Sequence, residues 1–388
     1  MPIPITYSLR NLRQRKATTL MTALGLALTV SVLLSVLALV DGLRWAFRAS
    51  SDPLNILVLR TGAPAELMSN LPRTVYNALK DKPGIARSPS GEPMASLEVV
   101  TVISLENPQH PGGTTVSFRG MTPVGIQIRR GITITTGRWF RPGYREVVVG
   151  DSIAARYPEA GLGGHLPFGR GVWTVVGIMD AGNSSIGSEI FCDLNQLASD
   201  EAREDVLSSV LLRASDPVAK MALIRDLNED RQLAVDAVGE TEYYDRQTRS
   251  SAPVQIVGMF VALIMAIGSS FAAMNTMYAA VARRAKEIGT LRVLGFSRSA
   301  ILACFLVESL LVAALGGFIG CALVLPLNNA TSSMGSFTTF GETAFRFRLS
   351  PMIMGTGMAF VLVLGACGGL LPACNAARKE IVNALRPV

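Results

Sequence analysis

Four stretches of this 388-residue chain are apolar over the length of a membrane span, which leaves little choice of fold. Ala17–Val40, Val254–Val281, Ala300–Leu327 and Pro351–Cys374 each reach the ~20 residues that a helix needs to cross the hydrocarbon of a bilayer. Only the third contains an Asp, Glu, Lys or Arg, and that residue is Glu308. A mean hydropathy of +0.37, with 17% charged residues, excludes an ordinary soluble protein. The first stretch holds 24 residues, against the roughly 7–15 of a cleaved signal peptide's core. No small-x-small site follows it at 37–45, so it is expected to stay as a membrane anchor.

Charge divides unevenly about these stretches, and the division predicts orientation. Residues 1–16, 283–298 and 377–388 together carry twelve bases and two acids, whereas 44–252 carry 22 bases and 24 acids. Lys and Arg accumulate in cytoplasmic segments, so both termini and the 283–298 loop are expected in the cytoplasm. The pI near 9.4 then reflects topology, and no nucleic-acid partner is expected. The resulting organisation is a cytoplasmic amphipathic helix (1–16), a first span (17–43) and an extracytoplasmic domain (44–252). A second span (253–282), a cytoplasmic loop (283–298) and a third span (299–327) follow. A short extracytoplasmic loop (328–349), a fourth span (350–376) and a cytoplasmic tail (377–388) complete it. In the amphipathic helix Ile5, Leu9 and Leu12 oppose Arg10, Arg13 and Arg15, which suits the inner membrane surface.

The loop between the second and third spans is the most patterned part of the chain. Arg283, Arg284, Lys286, Arg292 and Arg298 supply its charge. Glu287 stands four residues after Arg283 and three after Arg284, so a single helix face can hold all three. Ile288, Leu291 and Leu294 recur every three residues as a short apolar stripe. Gly289 and Gly295 punctuate it, and Ser297 is placed to cap the next helix. This predicts a short amphipathic helix lying across the cytoplasmic ends of two spans.

Read as a string, ARRAKEIGTLRVLGFSRSAI resembles the cytoplasmic loop of the FtsX-like, MacB-type ABC permeases, the group containing macrolide-exporter and lipoprotein-releasing permeases. There a basic pair is followed by Glu-Ile-Gly, a Leu-Arg-x-Leu-Gly core and Ser-Arg. The opening segment SLRNLRQRKATTLMTALGLALTV is similar to the same family. So are VSFRGMTP, TTGRWFRPGYREVVVGDSIAARY and GRGVWTVVGIM of the polar domain, and the terminal LLPACNAARKEIVNALRPV. Ile381 departs from the proline that many members carry near the end. The resemblance implies that the loop is a coupling helix docking on an ATP-binding subunit. Its residues would be Arg283, Arg284, Lys286, Glu287, Ile288, Gly289, Leu291, Arg292, Leu294 and Gly295. It implies as partners two copies of that subunit, a second permease copy in a homodimer or paralogous heterodimer, membrane lipids, and a periplasmic adaptor with an outer-membrane component. It also implies a bacterial inner-membrane location.

The polar domain reads as mixed α+β. Short β-type runs recur at 99–105, 115–118, 132–135, 146–149, 172–179, 188–192 and 206–213. Helical patterns fall at 74–80, 152–157 and 216–227, the last with Asp216 as its cap. The fold class expected is therefore a membrane protein of four transmembrane α-helices, with a large α+β extracytoplasmic domain inserted between the first and second. Charged residues 239–251 are expected to continue the second span outward as a stalk.

No chemistry is legible in this domain. His110 and His165 are the only histidines and Cys192 its only cysteine, so neither a metal nor another cofactor is expected. The other four cysteines fall in or beside spans, which argues against a disulfide framework. There is no G-x-S-x-G, no H-E-x-x-H and no phosphate loop G-x-x-x-x-G-K-[ST], so no catalytic residue is named and ATP hydrolysis is expected from a separate chain. Glu308 costs about 2.5–3.5 kcal/mol at bilayer depth and is expected to face protein. No second ionisable residue accompanies it within the spans, which favours packing or hydrogen bonding over a proton relay. Gly316, Gly317 and Gly320 with Gly365, Gly368 and Gly369 permit close helix contact, within the chain or between two copies.

Three functions compete. The first is a transporter subunit that converts ATP-driven closure of its partner into movement of the external domain, for a lipoprotein, lipid, peptide or drug. The second is a signalling subunit that activates an external partner such as a cell-wall hydrolase. The third, a membrane-anchored enzyme, lacks any motif. The resemblance favours the first over the second, because division-type members carry smaller external domains.

Overall fold

The computed structural model describes residues 10, 12, 14, 16–107, 110–249, 252–335 and 341–378, without the side chains at 107, 110–112 and 249. The expected amphipathic helix at the start and the tail after Arg378 lie largely or wholly outside these residues. The described chain divides into two compact units. One comprises residues up to 41, 253–330 and 347 onward; the other comprises 42–252 and 331–346.

The first unit holds the membrane helices. The four long apolar helices run Lys16–Ser50, Ala252–Arg283, Arg298–Val324 with a short 3-10 extension to Leu327, and Pro351–Arg378. Without a hydrophobic difference between lipid and neighbouring helices, close packing and interhelical hydrogen bonds must hold them. Glycine supplies the first. A Cβ added at Gly316 or Gly320 would lie 2.8 Å from the carbonyl oxygen of Ala23 or Ala27, so the third helix rests backbone to backbone on the first. Gly365 and Gly369 of the fourth helix meet Ala313 and Ser309 of the third. The glycine stretches are thus used within the chain. Hydroxyls supply the second: Ser31 Oγ donates to Gly320 O at 3.1 Å and Ser309 Oγ to Gly365 O at 2.6 Å. The second helix is the least covered, with Ile256, Phe260, Leu263, Ile267 and Phe271 all exposed.

The other unit is α+β. Its strands are β1 (Asn55–Arg60), β2 (Leu71–Pro72), β3 (Ala95–Asn107), β4 (His110–Met121), β5 (Thr133–Gly137), β6 (Glu146–Gly150), β7 (His165–Phe168), β8 (Gly171–Asp180), β9 (Glu189–Asp193), β10 (Val206–Leu207), β11 (Ser209–Arg213), β12 (Val235–Gly239), β13 (Thr331–Gly335) and β14 (Glu342–Arg346). Ten form one mixed sheet in the order β12-β1-β11-β3-β4-β9-β6-β8-β5, with β7 pairing β8. Successive strand residues face opposite sides, so a strand buried on both faces must be apolar throughout. β1 is such a strand: Ile56 and Val58 enter one core, Leu57 and Leu59 another. On β6, Val147 and Val149 share the first core while Val148 enters a third. Each β run read from the sequence falls on strand structure, except that 206–213 splits into β10, which pairs β2, and β11 of the main sheet. Asp216 caps the helix Pro217–Glu229 as expected, accepting from Val218 N and Ala219 N at 2.9 and 2.8 Å.

Two features of this unit differ from expectation. Residues 331–335 and 342–346, read as part of a short connecting loop, pair as the antiparallel strands β13 and β14. They are tied to the unit by Glu342, which pairs with Arg156 at 3.1 Å and accepts from Tyr157 Oη at 3.0 Å. Ala344 N also donates to Ser188 Oγ at 2.7 Å. The sheet centre is moreover heavily charged. Arg119 on β4 bridges Glu66, Glu98 and Glu189, each at 2.7 Å, and Arg129 grips Glu98 from the other side. Burial pushes Glu98 up, but Arg129 and Arg119 outweigh it and hold its carboxyl below the usual range.

Glu240 makes the opposite case. It begins the helix Glu240–Arg249, and its Oε2 accepts from Asp52 N and Asn55 Nδ2, both at 2.9 Å. It thereby clasps the chain just after the first helix to the chain just before the second. The two segments also touch through Phe47 and Tyr244, whose rings stack at 5.7 Å. Burial lifts Glu240 from 4.5 to about 7, and Arg129 and the two donors offset this only in part. Between those values the folded chain holds a proton that the unfolded chain has released, so this contribution to stability falls as pH rises through the window. Glu240→Gln keeps the acceptor oxygen and removes the titration. The full-length variant should melt above wild type at about pH 8, with the gap closing by about pH 4. Parallel melting profiles would refute the assignment.

Candidate functional site: the loop between the second and third spans

The loop folds as a short helix, Ala285–Val293, separated from the second span by a break at Arg284, whose φ and ψ are −101° and 16°. The break divides the basic pair. Arg283 ends the span with an exposed side chain, while Arg284 turns inward. Arg284 Nη1 and Nη2 donate to Glu308 Oε2 and Oε1 at 2.8 and 3.3 Å, and both side chains are buried. Glu308 therefore has an ionisable companion, supplied from outside the spans. The shared face proposed for Arg283, Arg284 and Glu287 does not form, because the helix is interrupted between its first two members.

The far end of the helix closes as a Schellman motif. Gly295 N donates to Arg292 O and Phe296 N to Leu291 O, both at 3.1 Å. This requires a left-handed residue after the cap, and Gly295 has φ +90°. Gly289, by contrast, lies buried within the helix. Ser297 Oγ then accepts from Ala300 N at 3.2 Å and caps the third span, as its position suggested.

The apolar stripe is split by geometry. Each three-residue step on an α-helix falls about 60° short of a full turn, so Ile288, Leu291 and Leu294 point in progressively different directions. Ile288 is 2% exposed and joins Met277, Val281, Ile301, Phe305, Ala373 and Ala376 in one apolar cluster. Leu291 is half-buried, and Leu294 is 70% exposed beside Val293 at 62%. Lys286, Glu287 and Arg298 are exposed, and Arg292 is half-buried with Nη1 donating to Phe296 O. Val293 and Leu294 are thus the exposed apolar residues of the loop, and Lys286, Glu287 and Arg298 are its exposed charged ones. Arg284, Ile288 and Gly289 hold the helix in place instead. Val293 was missed because it lies off the three-residue repeat.

Breaking a buried ion pair by removing one partner costs about 3–5 kcal/mol, whereas replacing both by apolar groups is often neutral. Glu308→Gln and Arg284→Met should each lower the melting temperature of the purified chain. The double variant Arg284→Met/Glu308→Leu should recover most of the loss. A double variant as unstable as the sum of the singles would show that the two residues act independently.

Residues 19–230 match the MacB-like periplasmic core domain, and residues 259–381 the FtsX-like permease C-terminal domain. The macrolide export ATP-binding/permease protein MacB 1/2 of Paracoccus denitrificans is 26% identical over 98% of this chain, which spans 58% of that protein's length. The ABC transporter permease YknZ of Bacillus subtilis is 22% identical over 98% of both chains. The periplasmic region of MacB from Actinobacillus actinomycetemcomitans superposes on 50% of this chain and 91% of its own at a TM-score of 0.37 and 14% identity, too loosely to build on. Four apolar helices, an α+β domain between the first and second, and two family profiles that together reach from residue 19 to 381 lead to one conclusion: the chain belongs to the MacB-like, FtsX-like family of ABC transporter permeases.

Proposed function

We propose that the chain is the permease subunit of an ABC transporter and passes movement from an ATP-binding subunit into the membrane helices and the inserted domain. The observation that carries this is the loop helix, which is pinned at one end and bare at the other. Arg284 and Ile288 fix its start to the third and fourth spans, while Val293 and Leu294 offer an apolar face rimmed by Lys286, Glu287 and Arg298. An apolar anchor within a charged rim is the anatomy of a protein interface. ATP-driven closure of two ATP-binding subunits would push on two such helices, one from each copy of a permease dimer. The exposed apolar face of the second helix suits contact with lipid or with that second copy. The charge division supports a bacterial inner-membrane protein with both termini and the loop in the cytoplasm. The inserted domain would then act on a lipoprotein, lipid, peptide or drug outside the membrane, alone or with a periplasmic adaptor and outer-membrane partner.

Cysteine labelling of intact cells should reach positions in 60–240 from outside and in 286–298 only after permeabilisation; equal labelling of both would refute the topology. Docking is tested at Leu294, the more exposed residue of the stripe. Truncating an interface anchor costs 2 kcal/mol or more, about 30-fold in affinity, whereas rim charges tune association rate and salt dependence. Leu294→Asp should abolish co-purification with the ATP-binding subunit and the stimulation of its ATPase. Arg298→Ala should chiefly shift the salt sensitivity. Wild-type behaviour of Leu294→Asp would reduce the loop to a solvated connector.

A further inference from the structure

The first, second and third helices leave a shallow crevice between them, with Leu26, Ala273, Met277 and Val312 buried at its floor. Its lining changes character along the helices. Thr18, Thr19 and Arg283 lie where the first helix begins and the second ends, and Leu26, Ala273 and Val312 lie farther along.

The polar groups differ in whether they are occupied. Thr22 Oγ1 donates to Thr18 O and to Thr276 Oγ1, Thr276 Oγ1 donates to Ala273 O, and Ser309 Oγ donates to Gly365 O. Glu308 is neutralised by the two-pronged grip of Arg284. The hydroxyls of Thr18 and Thr19 and the guanidinium of Arg283 make no hydrogen bond or ion pair among the described residues, and Arg283 leaves the lining with one uncompensated positive charge. A phosphate diester carries one negative charge and several acceptor oxygens, and basic pockets between membrane helices bind such headgroups.

We propose that this crevice holds an anionic phospholipid. The phosphate sits on Arg283, Thr18 and Thr19, which lie at the open mouth of the crevice, and the acyl chains stay in the surrounding bilayer. The inference needs only that the helices cross a bilayer, so it stands or falls separately from ATPase docking and from which leaflet Arg283 faces.

The test is native mass spectrometry of the full chain after delipidation, with phosphatidylglycerol or phosphatidylcholine added back. One cationic side chain near a headgroup contributes about fivefold in affinity. Wild type should retain phosphatidylglycerol about that much better than phosphatidylcholine. Arg283→Ala should erase the difference, and Arg283→Lys should keep most of it. Arg298→Ala, which removes an exposed base of the loop outside the crevice, should leave it unchanged, and millimolar inorganic phosphate should not displace the lipid. A preference that survives Arg283→Ala, or that Arg298→Ala removes as completely, would overturn the site. Displacement by inorganic phosphate would make it a site for free anions, and exclusion of both lipids from a dimer but not from a monomer would assign the crevice to a second copy.

Discussion

A carboxylate that reaches the interior of a membrane helix needs a partner, and much of the membrane unit follows from how Glu308 finds one. The cost of removing each ion from water is several kcal/mol, so the pair adds little stability over an apolar core. What it supplies is placement. A bidentate guanidinium must approach in one plane, and Arg284 reaches that plane only because the helix breaks between Arg283 and Ala285. The break sets where the loop helix starts, and Ile288, one turn on, follows into the cluster with Phe305 and Ala376. Ser309, next to Glu308, hydrogen-bonds Gly365 O and brings the fourth span against the same stretch of the third.

The inserted domain solves the same problem twice, with opposite results. Glu98 and Glu240 are equally buried. Glu98 meets two guanidiniums, whose attraction exceeds the desolvation cost, and stays ionised. Glu240 meets a backbone N–H and an amide, which are neutral donors, and desolvation prevails. Burial alone predicts neither outcome; the count of cations within reach decides. The first arrangement locks β3, β4 and β9 at the centre of the sheet, and the second joins the two segments by which the domain continues into the first and second helices.

Much of this was legible in the residues, and the limits have physical causes. Spans were readable because composition over about 20 residues is a local property. Strands such as β6 and β8 were readable from β-branched runs bounded by turns. β1 was missed because NILVLR is buried on both faces and shows no alternation, and β12 because its five residues include Asp236 and Gly239. The β13–β14 pair was missed because its attachment to the domain depends on Glu342 meeting Arg156, 186 positions earlier in the chain. In the loop, residue types and the Ser297 cap were evident. The inward turn of Arg284 was not, because Glu308 lies 24 residues away and no periodicity links them.

The split of the apolar stripe is what suits the loop to the role proposed for it. Had Ile288, Leu291 and Leu294 all faced inward, the helix would be an inert plug; had all faced outward, nothing would hold it. The shortfall of about 60° at each step turns one end into the spans and the other toward water. Gly295 ends the helix immediately afterwards, so Leu294 is offered at a closed terminus and not along a continuing rod. Force applied at Val293 and Leu294 must then pass through two turns of hydrogen-bonded backbone to Ile288 and Arg284. There it meets the third span at Phe305 and Glu308 and the fourth at Ala373 and Ala376. Under the proposed function, a short helix held by the Arg284–Glu308 pair and an apolar cluster would yield chiefly by moving those two spans with it.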